Sequence, residues 1–274
     1  MADRRPIGVF DSGLGGLTVV KELRRFLPNE DIVYFGDTGR VPYGTRSIDT
    51  IKKYASEDEK FLLSKDVKLI IAACGTVSSV ASKEAESLPV PFFEVVSHAA
   101  KAAAEATSNN KIGVLGTSAT VKSGKHAEHI LKYLAGQKVE VTSSACTMFV
   151  PLVEEGWYSA EDEVVLETVR RYLQPVIDAQ VDTVILGCTP YPVLSEAIKK
   201  VMGDEVTLIN AGTATAKAVY EYLSSNSMLN DKATAGEQYF YVSDKADSFR
   251  SIASNLLGET VDVERVEQIN LGKI

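Results

Sequence analysis

Apolar residues in this chain fall into short unbroken runs separated by longer stretches with helical spacing. That alternation predicts parallel strands buried on both faces, with helices packed against them. The first run, Ile7 to Phe10, opens into Asp11-Ser12-Gly13-Leu14-Gly15-Gly16, and the spacing of Leu17, Val20, Leu23 and Leu27 predicts a helix behind it. Ile32 to Phe35 predicts a second strand, which opens into Gly36-Asp37-Thr38-Gly39-Arg40-Val41-Pro42-Tyr43-Gly44, a loop rich in turn formers that reads equally well as a functional loop or an ordinary surface turn. A helix from Ile48 to about Leu63 leads into the run Val67 to Ala73, which ends at Cys74-Gly75-Thr76. Val77 to Glu86 fits a helix that starts beside this thiol, Phe92 to Val96 a further strand, and Ala99 to Ala106 an alanine-rich helix.

The pattern then restarts. Ile112-Gly113-Val114-Leu115-Gly116-Thr117-Ser118 lies 105 positions after Ile7-Gly8-Val9-Phe10-Asp11-Ser12, and Val181 to Gly187, ending at Cys188-Thr189-Pro190, echoes the first thiol run 114 positions later. Two related spacings read as a diverged duplication. Between the echoes the pattern predicts a helix from Val121 to Leu134, a strand from Val139 to Thr142, a solvated loop edge at Pro151-Leu152-Val153-Glu154-Glu155-Gly156 and a helix from Glu161 to Tyr172. After Cys188 come a helix from about Tyr191 to Met202, a strand from Val206 to Ile209, a helix from Ala214 to Leu223, a polar connection, a strand from Gln238 to Val242 and a helix from about Ala246 to Leu256. The expected architecture is α/β, with two similar domains related by a pseudo-twofold axis. Each has a parallel central sheet flanked by helices, and the active site lies in the cleft between them. The first domain would comprise residues 1–96 plus 211–274, and the second residues 97–210.

Composition narrows the function. The net charge of −8, from 37 acidic and 29 basic residues, provides no field for phosphate backbones and argues against nucleic acid as a partner. No run of about 18 apolar residues suits a bilayer and no secretory leader is evident, so the expectation is a cytoplasmic protein without membrane association. Three cysteines, Cys74, Cys146 and Cys188, are too sparse for a disulfide framework, and no CxxC pair suggests structural zinc, so thiols are expected and no metal site.

Cys74 and Cys188 each follow a strand, and the carboxyl ends of strands in open α/β sheets are where ligands bind. Cys146 precedes an apolar segment without that setting and reads as a small core residue. A thiol hydrolase would need a histidine partner, but His98, His126 and His129 form no such pattern, and a thiol phosphatase would need Arg six places after its Cys, where Val80 and Leu194 stand. The glycines after the first strand do not make a dinucleotide loop: Thr18 occupies the third glycine position and Asp11 would oppose a pyrophosphate. Two thiols facing one another across a cleft suit removal of a proton from one face of a carbon and its return to the other, since a thiolate base and a thiol acid can coexist. Stereoinversion is the natural product.

Taken together, the runs Gly8 to Gly16 and Asp37 to Gly44, the two thiol strand ends, and Val150 to Gly156 resemble the bacterial glutamate racemases of the aspartate/glutamate racemase superfamily, over nearly the whole chain and in the family's order. The resemblance implies cofactor-independent interconversion of L- and D-glutamate, supplying D-glutamate for peptidoglycan. It implies Cys74 and Cys188 as the two acid/base thiols, Asp11 as helper to Cys74, and Glu154 in the region of the second thiol. It further implies substrate contacts from Asp11, Ser12, Pro42, Tyr43, Gly44, Gly75, Thr76, Thr117, Thr120, Thr189 and Pro190, with glutamate as the small-molecule partner and a homodimer as a compatible assembly. The chain departs from the family's usual residues at Gly75, where Asn is common, at Pro190, where His is common, and at Asn210-Ala211, where Asp-Ser is common. These departures leave three readings: a weak glutamate racemase, a racemase of another amino acid, or a relative that binds without catalysis. Retention of both thiols, Asp11 and Glu154 ranks the first highest.

Overall fold

The computed structural model describes residues 2–81, 84–244, 253, 256, 257 and 266–270. The first part of the chain runs β1 (Ile7–Asp11), α1 (Leu17–Phe26), β2 (Ile32–Gly36), α2 (Ile48–Leu63), β3 (Leu69–Ala72), α3 (Gly75–Val80), β4 (Phe92–Glu94) and α4 (Val95–Ala106). The repeat continues with β5 (Lys111–Gly116), α5 (Ser118–Ser123), α6 (Lys125–Tyr133), β6 (Glu140–Ala145), α7 (Phe149–Glu154), α8 (Glu163–Asp178), β7 (Thr183–Leu186), α9 (Ser195–Met202), β8 (Thr207–Asn210) and α10 (Ala211–Ser225). The described chain closes with β9 (Gln238–Val242) and β10 (Val266–Gln268).

Every strand pair is parallel, in one six-stranded sheet of order β10-β9-β2-β1-β3-β4 and one four-stranded sheet of order β6-β5-β7-β8. The order β2-β1-β3-β4 of the first sheet is thus repeated as β6-β5-β7-β8 in the second, as the sequence echo predicts. All residues of β1, β2, β3 and β7 are buried, which is why their apolar runs carry no polar alternation. Register brings the candidate site residues together: Phe10 pairs with Ala72 and Leu115 with Leu186, so Asp11 and Cys74 emerge at one carboxyl edge and Thr117 and Cys188 at the other.

Several elements differ from the sequence expectation for identifiable reasons. The single helix expected over Val121 to Leu134 is two, because Gly124 adopts φ +65° between α5 and α6, and a glycine there costs no side-chain clash. The stretch expected as a loop edge at Pro151 to Gly156 is largely helix α7, whose Phe149, Leu152 and Val153 are buried. The helix after Cys74 starts at Gly75 and ends at Val80, with a separate 3-10 turn at Glu84–Ser87. Asn210 caps α10 by accepting from the amides of Gly212 at 2.9 Å and Thr213 at 3.3 Å, so the residue that departs from the family's usual Asp still serves a helix start. The helix expected from about Ala246 to Leu256 falls mostly outside the described residues, and β10 was not anticipated.

Candidate active site

The carboxyl edges of the two sheets enclose a cavity of about 520 Å³. Cys74 and Cys188 both line it, and each sits two positions beyond the last residue of its strand, β3 or β7. Asp11, Ser12, Pro42, Tyr43, Gly44, Thr76, Thr117, Glu154, Thr189 and Pro190 complete the predicted residues found in its wall. Gly75 and Thr120 are not in that wall. Thr120 is buried behind it, and Gly75 faces the opposite strand end, where a Cβ would fall 2.4 Å from the carbonyl oxygen of Gly187. The chain segments Cys74-Gly75 and Gly187-Cys188 therefore meet backbone to backbone, next to both thiols.

Asp11 ends β1 with its side chain 2% exposed. The Gly13 amide donates to its Oδ2 at 3.1 Å and the Thr189 hydroxyl to its Oδ1 at 3.4 Å. Burial nevertheless holds its pKa above the ordinary carboxylate value, with the amides of Gly16, Gly13 and Ser12 and the Thr189 hydroxyl acting in the other direction. The Cys74 thiol donates to Ser12 Oγ at 3.4 Å. Burial first, and then the neighbouring Asp11 carboxylate, push this thiol up to about 11. Burial also raises Cys188 well above the usual thiol value, with Cys74 and Asp11 adding to the effect. Burial thus favours the protonated form of both thiols. Glu154 lies on an exposed turn of α7 at the cavity rim, its pKa raised by partial desolvation, then by Asp11 and by Glu155.

Hydroxyl groups join the two sides. Thr76 Oγ1 lies 3.2 Å from Thr117 Oγ1, which lies 3.0 Å from Thr120 Oγ1, so a chain of three hydroxyls runs from α3 to α5. Thr18 Oγ1 lies 2.7 Å from the Thr189 carbonyl oxygen, to which it donates, and 3.0 Å from that of Gly15, and Tyr34 donates to the Gly13 carbonyl at 2.8 Å, which fixes the loop after β1. Among the described residues, no Lys, Arg or His lines the cavity, so an anion there would be held by hydroxyls and backbone amides.

Cys146, unlike the sequence expectation, does follow a strand end directly, since β6 stops at Ala145. Its thiol is fully buried, donates to the Ser144 carbonyl at 3.6 Å and is pushed up to about 12 by burial. Its carbonyl accepts from the Tyr191 hydroxyl at 2.8 Å, and it takes no part in the cavity wall. Sequence reading also missed Ser118, Thr147, Val41, Val150 and Leu256 in the wall. Ser118 could have been found as the neighbour of Thr117, whereas Leu256 reaches the cavity only through the tertiary fold.

The sequence profile described as Asp/Glu/hydantoin racemase matches residues 7–219. The chain belongs to the Asp/Glu/hydantoin racemase family. Within that family it is 41% identical over 255 residues to a glutamate racemase of Geobacter metallireducens, covering 93% of each chain. It superposes with a TM-score of 0.90 on the glutamate racemase of Francisella tularensis solved in complex with D-glutamate, at 39% identity over 99% of this chain and 100% of that one. The Thermus thermophilus glutamate racemase solved with β-chloro-D-alanine gives a TM-score of 0.88 at 40% identity, with 100% of both chains covered. In this family context the two strand-end thiols face a single cavity. No helix among the described residues is long and apolar enough to cross a membrane.

Proposed function

We propose that the protein interconverts L- and D-glutamate without a cofactor, using Cys74 and Cys188 as paired acid and base on opposite faces of the α-carbon. The observation that carries this reading is the placement of two thiols at equivalent strand ends on one cavity, with a buried carboxylate beside the first. In the reaction one thiolate takes the α-hydrogen as a proton, and the C–H electron pair moves into the adjoining carboxylate. The opposite thiol then delivers its proton to the other face of that carbon. The base ends as a thiol and the acid as a thiolate, so reversal runs the other direction without outside proton donors.

Burial favours the neutral form of both thiols, so the reaction needs a group that favours the thiolate. The substrate ammonium supplies the missing positive charge: beside Asp11 and Cys74 it offsets the carboxylate that raises the thiol and favours its ionised form. Asp11 is the group that receives this ammonium or the Cys74 proton. Ser12, Thr76, Thr117 and Thr189 offer hydroxyls to the substrate carboxylates, and Glu154, at the rim, is assigned to the region of the second thiol by the family likeness. The two units divide as residues 1–96 with 211–274 and residues 97–210, and the D-glutamate made in the cytoplasm serves peptidoglycan synthesis.

The test is to incubate the purified protein with L-glutamate, without added cofactor, and to follow optical activity. A turnover of about 1 s⁻¹ or more is expected, within the ordinary enzyme range. A silent trace with intact, folded protein would reject the reading. A second reading, racemisation of another amino acid, draws on Gly75 and Pro190 and on the apolar Val41, Val150 and Leu256 in the wall. Comparing kcat/KM across a panel of amino acids separates the two.

A further inference from the structure

Behind the cavity wall, the side chain of Tyr43 ends in a cluster that the reaction above does not use. Tyr43 is 1% exposed and belongs to the loop lining the cavity. Its hydroxyl contacts Asp37 Oδ2 and also Asp58 Oδ2, the latter at 3.0 Å. Asp37 and Asp58 are both fully buried. Arg40 donates from Nε to Asp37 Oδ2, from Nη1 to Glu57 and from Nη2 to Asp58 Oδ1 at 3.0 Å, while its guanidinium carbon sits 4.0 Å from the centre of the Tyr54 ring. Ser243 donates to Asp37 Oδ1 at 2.7 Å.

Counting hydrogens decides the protonation. A phenol carries one hydrogen, so Tyr43 can donate to only one of the two carboxyl oxygens it touches. If both acids were ionised, the second contact would set a bare carboxylate oxygen against a phenol lone pair at a buried position, which is costly. One acid must therefore donate to Tyr43. Asp37 accepts on both of its oxygens, from Arg40, Tyr43 and Ser243, as a carboxylate does, whereas Asp58 accepts from Arg40 at Oδ1 and at Oδ2 meets the Tyr43 hydroxyl whose hydrogen is already given to Asp37. That leaves Asp58 Oδ2 as the oxygen carrying the hydrogen.

We infer that Asp58 is a protonated carboxylic acid at neutral pH and a positioning residue, donating to Tyr43 so that Tyr43, held in turn by Asp37, fixes the Pro42-Tyr43-Gly44 wall of the cavity. Three carboxyl groups surround the one guanidinium of Arg40, and burial followed by the Asp37 charge holds Asp58 well above the usual carboxylate range, in the same direction. The kinetic readout rests on the racemase reading, and the spectroscopic one does not.

The experiment compares Asp58→Asn, Asp58→Ala and Asp37→Asn in the full-length protein. An amide mimics a protonated acid, donating from Nδ2 to Tyr43 and accepting from Arg40, so Asp58→Asn should keep kcat and KM within about twofold. Asp58→Ala should raise KM about tenfold with kcat within about threefold, the scale of one lost hydrogen bond. Asp37→Asn should raise KM at least as much, because it sets an amide donor against donors. Infrared difference spectra at neutral pH should contain a carboxylic-acid carbonyl band that Asp58→Asn removes. Absence of any such loss would overturn the inference whether or not the protein racemises glutamate. So would Asp58→Asn being as damaging as Asp58→Ala, or Asp37→Asn proving the tolerated change. If Asp58→Ala does not fold, the contrast between Asp58→Asn and Asp37→Asn and the infrared band still decide it.

Discussion

The two sides of the cleft carry the same group, a thiol two positions past an inner strand, in different surroundings. On the Cys74 side, β1 ends in the buried Asp11, whose charge raises the thiol, while Ser12 Oγ accepts the thiol's hydrogen. On the Cys188 side, the matching strand β5 ends in Gly116, and a Cβ there would lie 3.0 Å from Thr120 Cγ2, so Thr120 fills the space an acid would need. The other acid in the wall is Glu154, exposed on α7, and after burial and Cys74 it is again Asp11 whose charge raises Cys188. The repeated strand ends thus carry the thiol twice and the buried carboxylate once. One carboxylate is fixed in the sheet and its charge reaches both thiols, and the other stands on a helix at the rim.

The largest effects test the likeness of the halves. Cys74→Ser and Cys188→Ser should each cut racemisation by about 10³-fold or more, since each direction needs one base and one acid. A variant retaining turnover within tenfold of the parent would break the pairing. Asp11→Asn tests the asymmetry. It should lower kcat by about 10²-fold, the scale of one acid/base aid. Because the Asp11 charge is a cause of the raised Cys74 pKa of about 11, its removal lowers that pKa and raises the thiolate fraction at pH 7. Alkylation of Cys74 by iodoacetamide should therefore speed up even as catalysis falls. Slower alkylation in Asp11→Asn would reverse the assigned electrostatics.

Gly75→Ala and Pro190→Ala sharpen the comparison at the chain's own departures. A Cβ at Gly75 would lie 2.4 Å from the Gly187 carbonyl, a fixed backbone atom, so Gly75→Ala should push the thiol-bearing strand ends apart. A stability loss of about 1–3 kcal/mol in chemical unfolding is expected, with a fall in kcat. Pro190 faces the cavity, and Pro190→Ala should stay within about threefold in kcat/KM, as no hydrogen bond is lost. The smallest effect is expected of Glu154→Gln. Its exposure leaves room for water to replace a lost charge, and a change of no more than about twofold in kcat/KM should be seen in steady-state assays.

The sheets were legible in sequence because buried parallel strands need unbroken apolar runs, and Ile7 to Phe10, Leu69 to Ala72 and Thr183 to Leu186 comply. The restart at Ile112 announced the repeated strand order for the same reason. Breaks inside helical spacing were not legible: apolar periodicity runs straight through Gly124, and only its φ of +65° separates α5 from α6. The wall was legible where short motifs adjoin strand ends, at Asp11, Cys74, Thr117 and Cys188. It was not legible at Gly75, because a contact with the Gly187 carbonyl depends on how two sheets meet, which no local pattern encodes. The cluster of Asp37, Arg40, Tyr43 and Asp58 was half visible as a loop motif. Asp58 lies on α2 and reads there as one more charge on a helix until the fold buries it.

On the proposed reading, two thiols divide the work between the faces of one carbon. The most direct test runs the reaction in deuterated water from L-glutamate and analyses both enantiomers early in the time course. Two separate thiols predict that newly formed D-glutamate carries deuterium at the α-carbon while the remaining L-glutamate stays protonated. Deuterium appearing equally in both enantiomers from the outset would mean that one group serves both faces, and would contradict the account.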